Sequence, residues 1–110
     1  MPEFQHKNLA AGRWRTLTLM EQLGNIGSEI GRAKNWYRKD EELYRGALFR
    51  ALELIDLTVA DPRWRYRLKE ILRAREVICD TFTERNEYGS TWEDLDRYFS
   101  QFAFAARRGR

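Results

Sequence analysis

The stretch "LGNIGSEIG", from Leu23 to Gly31, decides how the fold is interpreted, because it places three glycines inside an otherwise helical pattern. Gly24, Gly27 and Gly31 are spaced three and four residues apart, so on a helix they lie along one ridge. A dinucleotide-binding loop needs G-x-G-x-x-G after a strand, and this stretch has neither. Each glycine inside a helix costs about 0.8–1.0 kcal/mol relative to alanine, a cost that close packing of another helix offsets. We therefore expect a helix of this chain or of a second subunit to pack on the ridge.

The helix that carries this ridge is predicted to begin at Thr18, because Glu21 follows three residues later in the pattern of a capping box. Apolar residues then recur in alternating steps of four and three, which places them on one face. They are Leu19, Leu23, Ile26, Ile30, Ala33 and Tyr37. Asp40 is placed to cap a second helix with a wide apolar stripe. That stripe comprises Tyr44, Ala47, Leu48, Ala51, Leu52, Leu54, Ile55 and Val59.

A third helix is predicted from "ADPRW", because Asp61 is a good cap and Pro62 suits the first helical position. We expect this helix to run without a break to about Glu84. Its inner stripe would comprise Trp64, Leu68, Ile71, Leu72, Ile78, Cys79 and Phe82, with Arg75 on the same side.

The segment "RNEYGST" predicts a loop, because Asn86 and Gly89 are typical turn residues. Ser90 or Thr91 is then placed to cap a fourth helix. Its apolar residues keep the same alternating spacing and are Trp92, Leu95, Phe99, Phe102 and Ala106.

Four helices joined by short connections predict an all-α fold, an antiparallel up-down four-helix bundle, since sequential helices must be neighbours. The bundle would span residues 18–108. An N-terminal arm at 1–17 would precede it, and the end of a basic tail at 109–110 would follow it. No segment has the pattern of a strand.

The composition argues against several classes of protein. The chain has 110 residues and a net charge of +3. Its one histidine, His6, is too few for the di-metal sites of four-helix bundles, and its one cysteine, Cys79, allows no internal disulfide. We therefore expect no metal and no cofactor. No apolar run is long enough for a membrane span, so we expect a cytoplasmic protein without membrane contact.

Carboxylates on the second and third helices leave an enzyme as one alternative, using Glu53, Asp56 or Asp80. We expect instead that Asp56 and Arg75 form a buried ion pair, because an isolated buried charge is costly.

The stretch "PRWRYRLK" is the main indication of function, because it crowds bases at a helix start, against the preference of the helix dipole. Its aromatic residues can stack on nucleic-acid bases while the arginines hold phosphates. The predicted nucleic-acid surface comprises Arg63, Arg65, Tyr66, Arg67 and Lys69, joined by Arg13 and Arg15 of "RWR" and by the "RRGR" tail. As alternatives, the bases pair with Glu41, Glu42 or other acids of neighbouring helices, and the aromatic residues belong to the core.

The helix pattern from Thr18 to Arg108 resembles small prokaryotic four-helix-bundle proteins of the ribosomal-intervening-sequence and retroelement-accessory class. Stretches such as "EQLGNIGSEI" and "RALELIDLTVADPRW" are also similar to short bacterial proteins. The first resemblance implies a basic, oligomeric protein that acts beside a reverse transcriptase or RNA. It is a resemblance of architecture, and it carries no functional residue over to this chain.

These observations together predict a non-catalytic, homo-oligomeric accessory protein that binds RNA or DNA. One alternative is an adaptor that binds a protein partner, with the glycine ridge and exposed aromatic residues as its interface. The carboxylate-dependent enzyme is the other.

Overall fold

A computed structural model describes residues 12–85 and 87–108, and helices without any strand make up the regular structure of these residues. The α-helices are α1 (Leu19–Trp36), α2 (Glu41–Val59), α3 (Leu68–Thr83) and α4 (Trp92–Arg108), with a 3-10 helix at Pro62–Arg67 before α3. The predicted all-α class is confirmed. Of the predicted arm, only residues 12–17 are described, and both 109–110 and Asn86 lie outside the described residues. None of the helices described is long and apolar enough to cross a membrane.

Side-chain caps begin the helices where the sequence predicted them. In α1, Thr18 and Glu21 exchange hydrogen bonds in both directions, at 2.9 and 3.1 Å. The carboxylate of Asp40 caps α2 by accepting a hydrogen bond from a backbone N–H in the first turn. Thr91, rather than Ser90, caps α4 and exchanges hydrogen bonds with Asp94.

The third predicted helix is not continuous, which corrects the sequence analysis. Its first six residues form the 3-10 helix, and the backbone leaves helical geometry at Trp64 (φ −104°, ψ 20°) before α3 begins at Leu68. The tighter turn places the Trp64 indole N–H 2.9 Å from Oε1 of Gln22, so this tertiary hydrogen bond accompanies the break. Leu72, which we expected on the inner stripe, is 41% exposed because its neighbour Ile71 takes the inward position.

Helix α1 lies at the centre of the fold, because it packs extensively on both α2 and α4. Helix α3 packs mainly on α2 and on the 3-10 helix. The largest fully buried apolar side chains come from all four α-helices and include Ile26, Ile30, Leu48, Ile55, Ile71, Ile78 and Phe99.

The glycine ridge of α1 faces α4 of the same chain. A Cβ atom added to Gly24 would lie only 2.9 Å from the Cα of Ala103. At Gly27 it would lie 2.8 Å from the Cβ of Phe99. Real side chains essentially never approach so closely, so the α4 backbone occupies the space that side chains would need. The helix covering these two positions therefore belongs to this chain and not to a second subunit.

Gly31, the third glycine of the ridge, is less crowded. Its added Cβ would meet only the carboxylate of Asp96, at 3.4 Å, and Lys34 pairs with that carboxylate at 3.0 Å. From Gly24 to Gly31 the facing residues of α4 run backwards from Ala103 to Asp96. The two helices therefore pass each other in opposite directions.

An aromatic cluster joins the helices at the far end of the molecule from Gly24. Tyr44, in the first turns of α2, lies 5.3 Å from Tyr37, 6.0 Å from Phe82 and 5.7 Å from Trp92, measured between ring centroids. These partners come from the end of α1, the end of α3 and the start of α4. Burial in this cluster raises the pKa of Tyr44 to about 12.

Replacing Gly27 with alanine should destabilise the protein, because the new methyl group requires α4 to move away. We expect Gly27→Ala to lower the free energy of unfolding by about 1–3 kcal/mol, as overpacking of a core does. Urea unfolding followed by circular dichroism measures this change.

Gly46 provides the matched control, because it also lies inside a helix but has room for a side chain. Its added Cβ would meet only the Arg50 guanidinium, at 3.7 Å. Gly46→Ala should therefore stabilise the protein by about 0.4–1 kcal/mol. A similar gain for Gly27→Ala would contradict close packing of α4 on the ridge.

Candidate nucleic-acid interface

Three separate segments of the chain meet at the end of the molecule where α1 begins. The indole N–H of Trp14 donates to Oγ1 of Thr58 near the end of α2, at 2.9 Å. Nη2 of Arg63 in the 3-10 helix donates to the backbone oxygen of Leu17, at 2.8 Å. The last turns of α4 reach the same end, because Ala103 already lies against the first turns of α1.

We define the basic end as residues 12–20, 60–70 and 103–108. These residues include eight arginines and lysines but only two acids, a net charge of +6. The whole chain has a net charge of +3, so all its other residues together carry −3. The charge is thus distributed unevenly, with the positive excess at one end of the helices.

A buried polar network holds the basic end in shape, and Gln22 is at its centre. This side chain is fully buried, and its Nε2 donates to the backbone oxygen of Trp14 (2.8 Å) and to Oδ2 of Asp61 (3.2 Å). Its Oε1 accepts the hydrogen bond from Trp64. One side chain of α1 therefore fixes both the segment before α1 and the 3-10 helix. Gln22 was not predicted from the sequence, although its spacing of four residues from Ile26 places it on the apolar face.

Asp61 and Arg63 form the charged part of this network. Asp61 is almost completely buried, and its carboxylate accepts hydrogen bonds from Nε and Nη2 of Arg63, the shorter at 2.7 Å. The hydrogen bonds from the Arg63 side chain lower the pKa of Asp61 to about 2, against the opposing effect of burial. Because Arg63 also donates to Leu17 and lies over the Trp64 ring, its Nε and Nη2 donors are engaged within the protein. We therefore remove Arg63 from the candidate interface.

The other bases predicted from "PRWRYRLK" remain at the surface. Arg65 lies over the ring of Tyr66, with 4.9 Å between Cζ and the ring centroid, and has no acidic partner among the described residues. Arg67 pairs with Glu70 at 2.8 Å, and about half of each side chain is exposed. Lys69 is exposed and forms no ion pair within the described part of the chain.

The alternative that these bases pair with acids of neighbouring helices does not match the geometry. Their acidic partners are Asp61 and Glu70, which are close to them in sequence. Glu41 instead pairs with Arg45, and with Glu42 it lies at the start of α2, near the opposite end of the molecule.

The structure brings two further features to the basic end. Arg13 and Arg15 are exposed on either side of the buried Trp14. In the last turns of α4, the ring of Phe104 is 54% exposed, with Arg107 and Arg108 over it at 6.0 and 5.7 Å. The sequence analysis included the basic tail but not Phe104. Its position two residues after the buried Phe102, outside the apolar stripe, was the available signal.

The predicted ion pair between Asp56 and Arg75 forms but is not buried. Oδ1 of Asp56 lies 2.7 Å from Nε of Arg75, while 55% of the Asp56 side chain and 37% of the Arg75 side chain are exposed. Each residue directly follows an inward-facing one, Ile55 or Ala74, so both turn toward solvent. An exposed pair of this kind contributes little to stability.

The remaining carboxylates proposed for catalysis have ordinary structural surroundings. Asp80 is buried and accepts hydrogen bonds from the backbone N–H groups of Glu87 and Tyr88, so it fixes the loop before α4. Glu53 is half-buried on α2. Among residues 12–85 and 87–108, no three histidine, cysteine or acidic side chains are grouped as metal ligands.

Comparisons with models of known families, with curated proteins and with solved structures found no match to this chain. The function is therefore inferred from the residues of the basic end and from their surroundings.

The buried Asp61 should make stability depend on acid pH. Because its pKa is lower in the folded protein, its stabilisation is present above its ordinary pKa near 4 and is lost as the pH falls toward 2. The wild type and Asp61→Asn differ in their free energy of unfolding, and this difference should therefore decrease by roughly 2 kcal/mol over this pH range. Urea unfolding of both proteins between about pH 6 and pH 3 measures about half of this change. A difference that stays constant with pH would contradict the charged network.

Proposed function

We propose that this protein is a non-catalytic, oligomeric accessory protein that binds RNA or DNA through its basic end. The main support is the concentration of positive charge there, +6 on three short segments of a chain whose net charge is only +3. When a nucleic acid binds to such a surface, most of the binding free energy comes from contacts with its phosphates and from the release of counterions. The proposal places the protein in the cytoplasm, where a chain with a single cysteine needs no disulfide.

We also propose the full topology, an antiparallel up-down four-helix bundle. The opposite directions of α1 and α4 along the glycine ridge support it. So do the contacts of α2 with α3, because Asp56 pairs with Arg75 while Phe49, earlier in α2, contacts Phe82, later in α3. The Tyr44 cluster supports it further, because in this cluster the ends of α1 and α3 meet the starts of α2 and α4.

Phosphate contacts would come from the exposed bases that the fold leaves without strong partners. Arg13, Arg15, Arg65 and Lys69 meet this description, whereas Arg67 shares its charge with Glu70. Guanidinium groups suit this role because their planar donors match two phosphate oxygens at once. Contacts of this kind give affinity without reading base sequence.

An adaptor for a protein partner is the second candidate function, and a groove between α3 and α4 favours it. The groove has a volume of about 260 Å³ and a mainly apolar lining that includes Ala74, Val77, Leu95 and Tyr98. The glycine ridge no longer supports this candidate, because α4 already covers it. The carboxylate enzyme ranks below both candidates, since Asp56 and Asp80 are engaged as described above.

Charge reversal at the basic end should abolish most binding to nucleic acid. We expect the triple variant Arg15→Glu, Arg65→Glu and Lys69→Glu to bind a fluorescent oligonucleotide at least about tenfold more weakly than the wild type, with a shallower dependence on salt. Fluorescence anisotropy titrations at several salt concentrations measure both quantities.

A second triple variant controls for net charge. Lys39, Arg38 and Arg85 are exposed near the opposite end, and their change to glutamate alters the net charge equally. This variant should retain most of the affinity. Equal losses in the two variants would contradict a localised interface, and no salt-dependent binding by the wild type would overturn the proposed function.

A further inference from the structure

Two aromatic side chains at the basic end are exposed in a way that folding does not require. Tyr66 is 84% exposed, and Phe104 is 54% exposed. Neither belongs to the hydrophobic core or to the partly buried residues packed against it. Neither ring contacts another aromatic ring within the described part of the chain, unlike the exposed Phe49, which contacts Phe82. The two rings therefore contribute little to the packing of the bundle.

Both rings are instead accompanied by arginines. Arg65 lies 4.9 Å from the centroid of the Tyr66 ring, and its Nη2 donates to the phenol oxygen at 3.2 Å. Arg107 and Arg108 lie about one turn further along α4, and both approach the ring of Phe104. Each site thus combines a planar apolar surface with guanidinium donors, the two groups needed to stack a base and hold its phosphate.

The fold places these two sites at the same end of the molecule, near the start of α1. The 3-10 helix that carries Tyr66 is tied to Leu17 through Arg63. The turn of α4 that carries Phe104 directly follows Ala103, which packs on Gly24. A chain of nucleotides bound to the basic end would therefore have both sites near it.

We infer that the basic end binds unpaired nucleotides in preference to a duplex, by stacking bases on Tyr66 and Phe104. This inference rests on the proposed function and specifies its ligand. In a duplex the bases are already paired and stacked, so they offer no free face to an exposed ring, whereas every unpaired base does. The phosphates are available in both forms, so the arginines bind either, and the aromatic rings supply the discrimination.

The test compares the wild type with the double variant Tyr66→Ala and Phe104→Ala. Anisotropy titrations use fluorescent oligo(U) and oligo(dT) of about 15 nucleotides, a length within the range of single-strand binding sites, and a hairpin duplex with a similar number of phosphates. We expect the double variant to lose about fivefold or more of its affinity for the single strands, as removal of base stacking does, with its affinity for the duplex unchanged.

Two controls separate stacking from other effects. Tyr66→Phe keeps the ring and should retain single-strand binding. Tyr88→Ala removes another exposed tyrosine with an arginine over its ring, Arg73 at 5.2 Å, but it lies in the loop before α4. This change should leave all binding as in the wild type. Circular dichroism confirms that each variant is folded before titration.

The possible failures can be told apart. If the double variant binds single strands as the wild type does, while charge reversal of Arg15, Arg65 and Lys69 weakens binding to every probe, the stacking inference is overturned and the proposed function stands. An equal loss on single strands and duplex also overturns the inference. If the wild type binds none of the probes, the proposed function and the inference both fail.

Discussion

The close approach of α4 to Gly24 and Gly27 is the contact on which the rest of the structure depends. Without a Cβ at these positions, the α4 backbone lies directly on α1, and Phe99 is completely buried beside them. The same contact sets how far α4 extends past the start of α1. A packing requirement in the core therefore places the exposed Phe104 and the arginines that follow it at the end of the molecule where α1 begins.

The basic end also resolves an apparent conflict with the helix dipole. Arginines crowd the sequence where the third helix was expected to begin, although positive charge is unfavourable at a helix N-terminus. In the structure, Arg63, Arg65 and Arg67 lie in or at the end of the 3-10 helix, and α3 starts after them with Glu70 in its first turn. Arg63 is further neutralised by Asp61. The break in the helix thus leaves the three arginines before α3, and of the basic stretch only Lys69 lies in the first turn of α3.

Local signals predicted much of the fold, and tertiary contacts account for what they missed. The caps at Thr18 and Asp40 depend on residues a few positions apart, so the sequence alone reveals them. The break at Trp64 is accompanied by a hydrogen bond to Gln22, which lies 42 residues away, so this contact has no local signature in the sequence. The exposure of Asp56 depends on which face of α2 packs against α3. The apolar stripe of α2 is too wide to predict that face.

The candidate interface was predicted in part for the same reason. Arg65, Tyr66 and Lys69 were identified because bases and aromatic residues alternate in one short stretch. That stretch does not reveal that Arg63 pairs with Asp61 inside the protein. It also does not reveal that Phe104 lies at the candidate interface. Both depend on which segments meet at the start of α1, and that is decided by the glycine ridge and by the buried Gln22.

The uneven distribution of charge has a mechanical consequence for the whole molecule. A body that carries +6 at one end, while its other described residues carry a net negative charge, has a permanent electric dipole along its helices. In the field of a polyanion such a body experiences a torque that turns it before contact, as electrostatic steering does. The molecule would approach with its helices pointing at the polyanion, so that the basic end makes contact and the Tyr44 cluster lies on the far side. The end that carries the Tyr44 cluster would then be the first surface that any later protein meets.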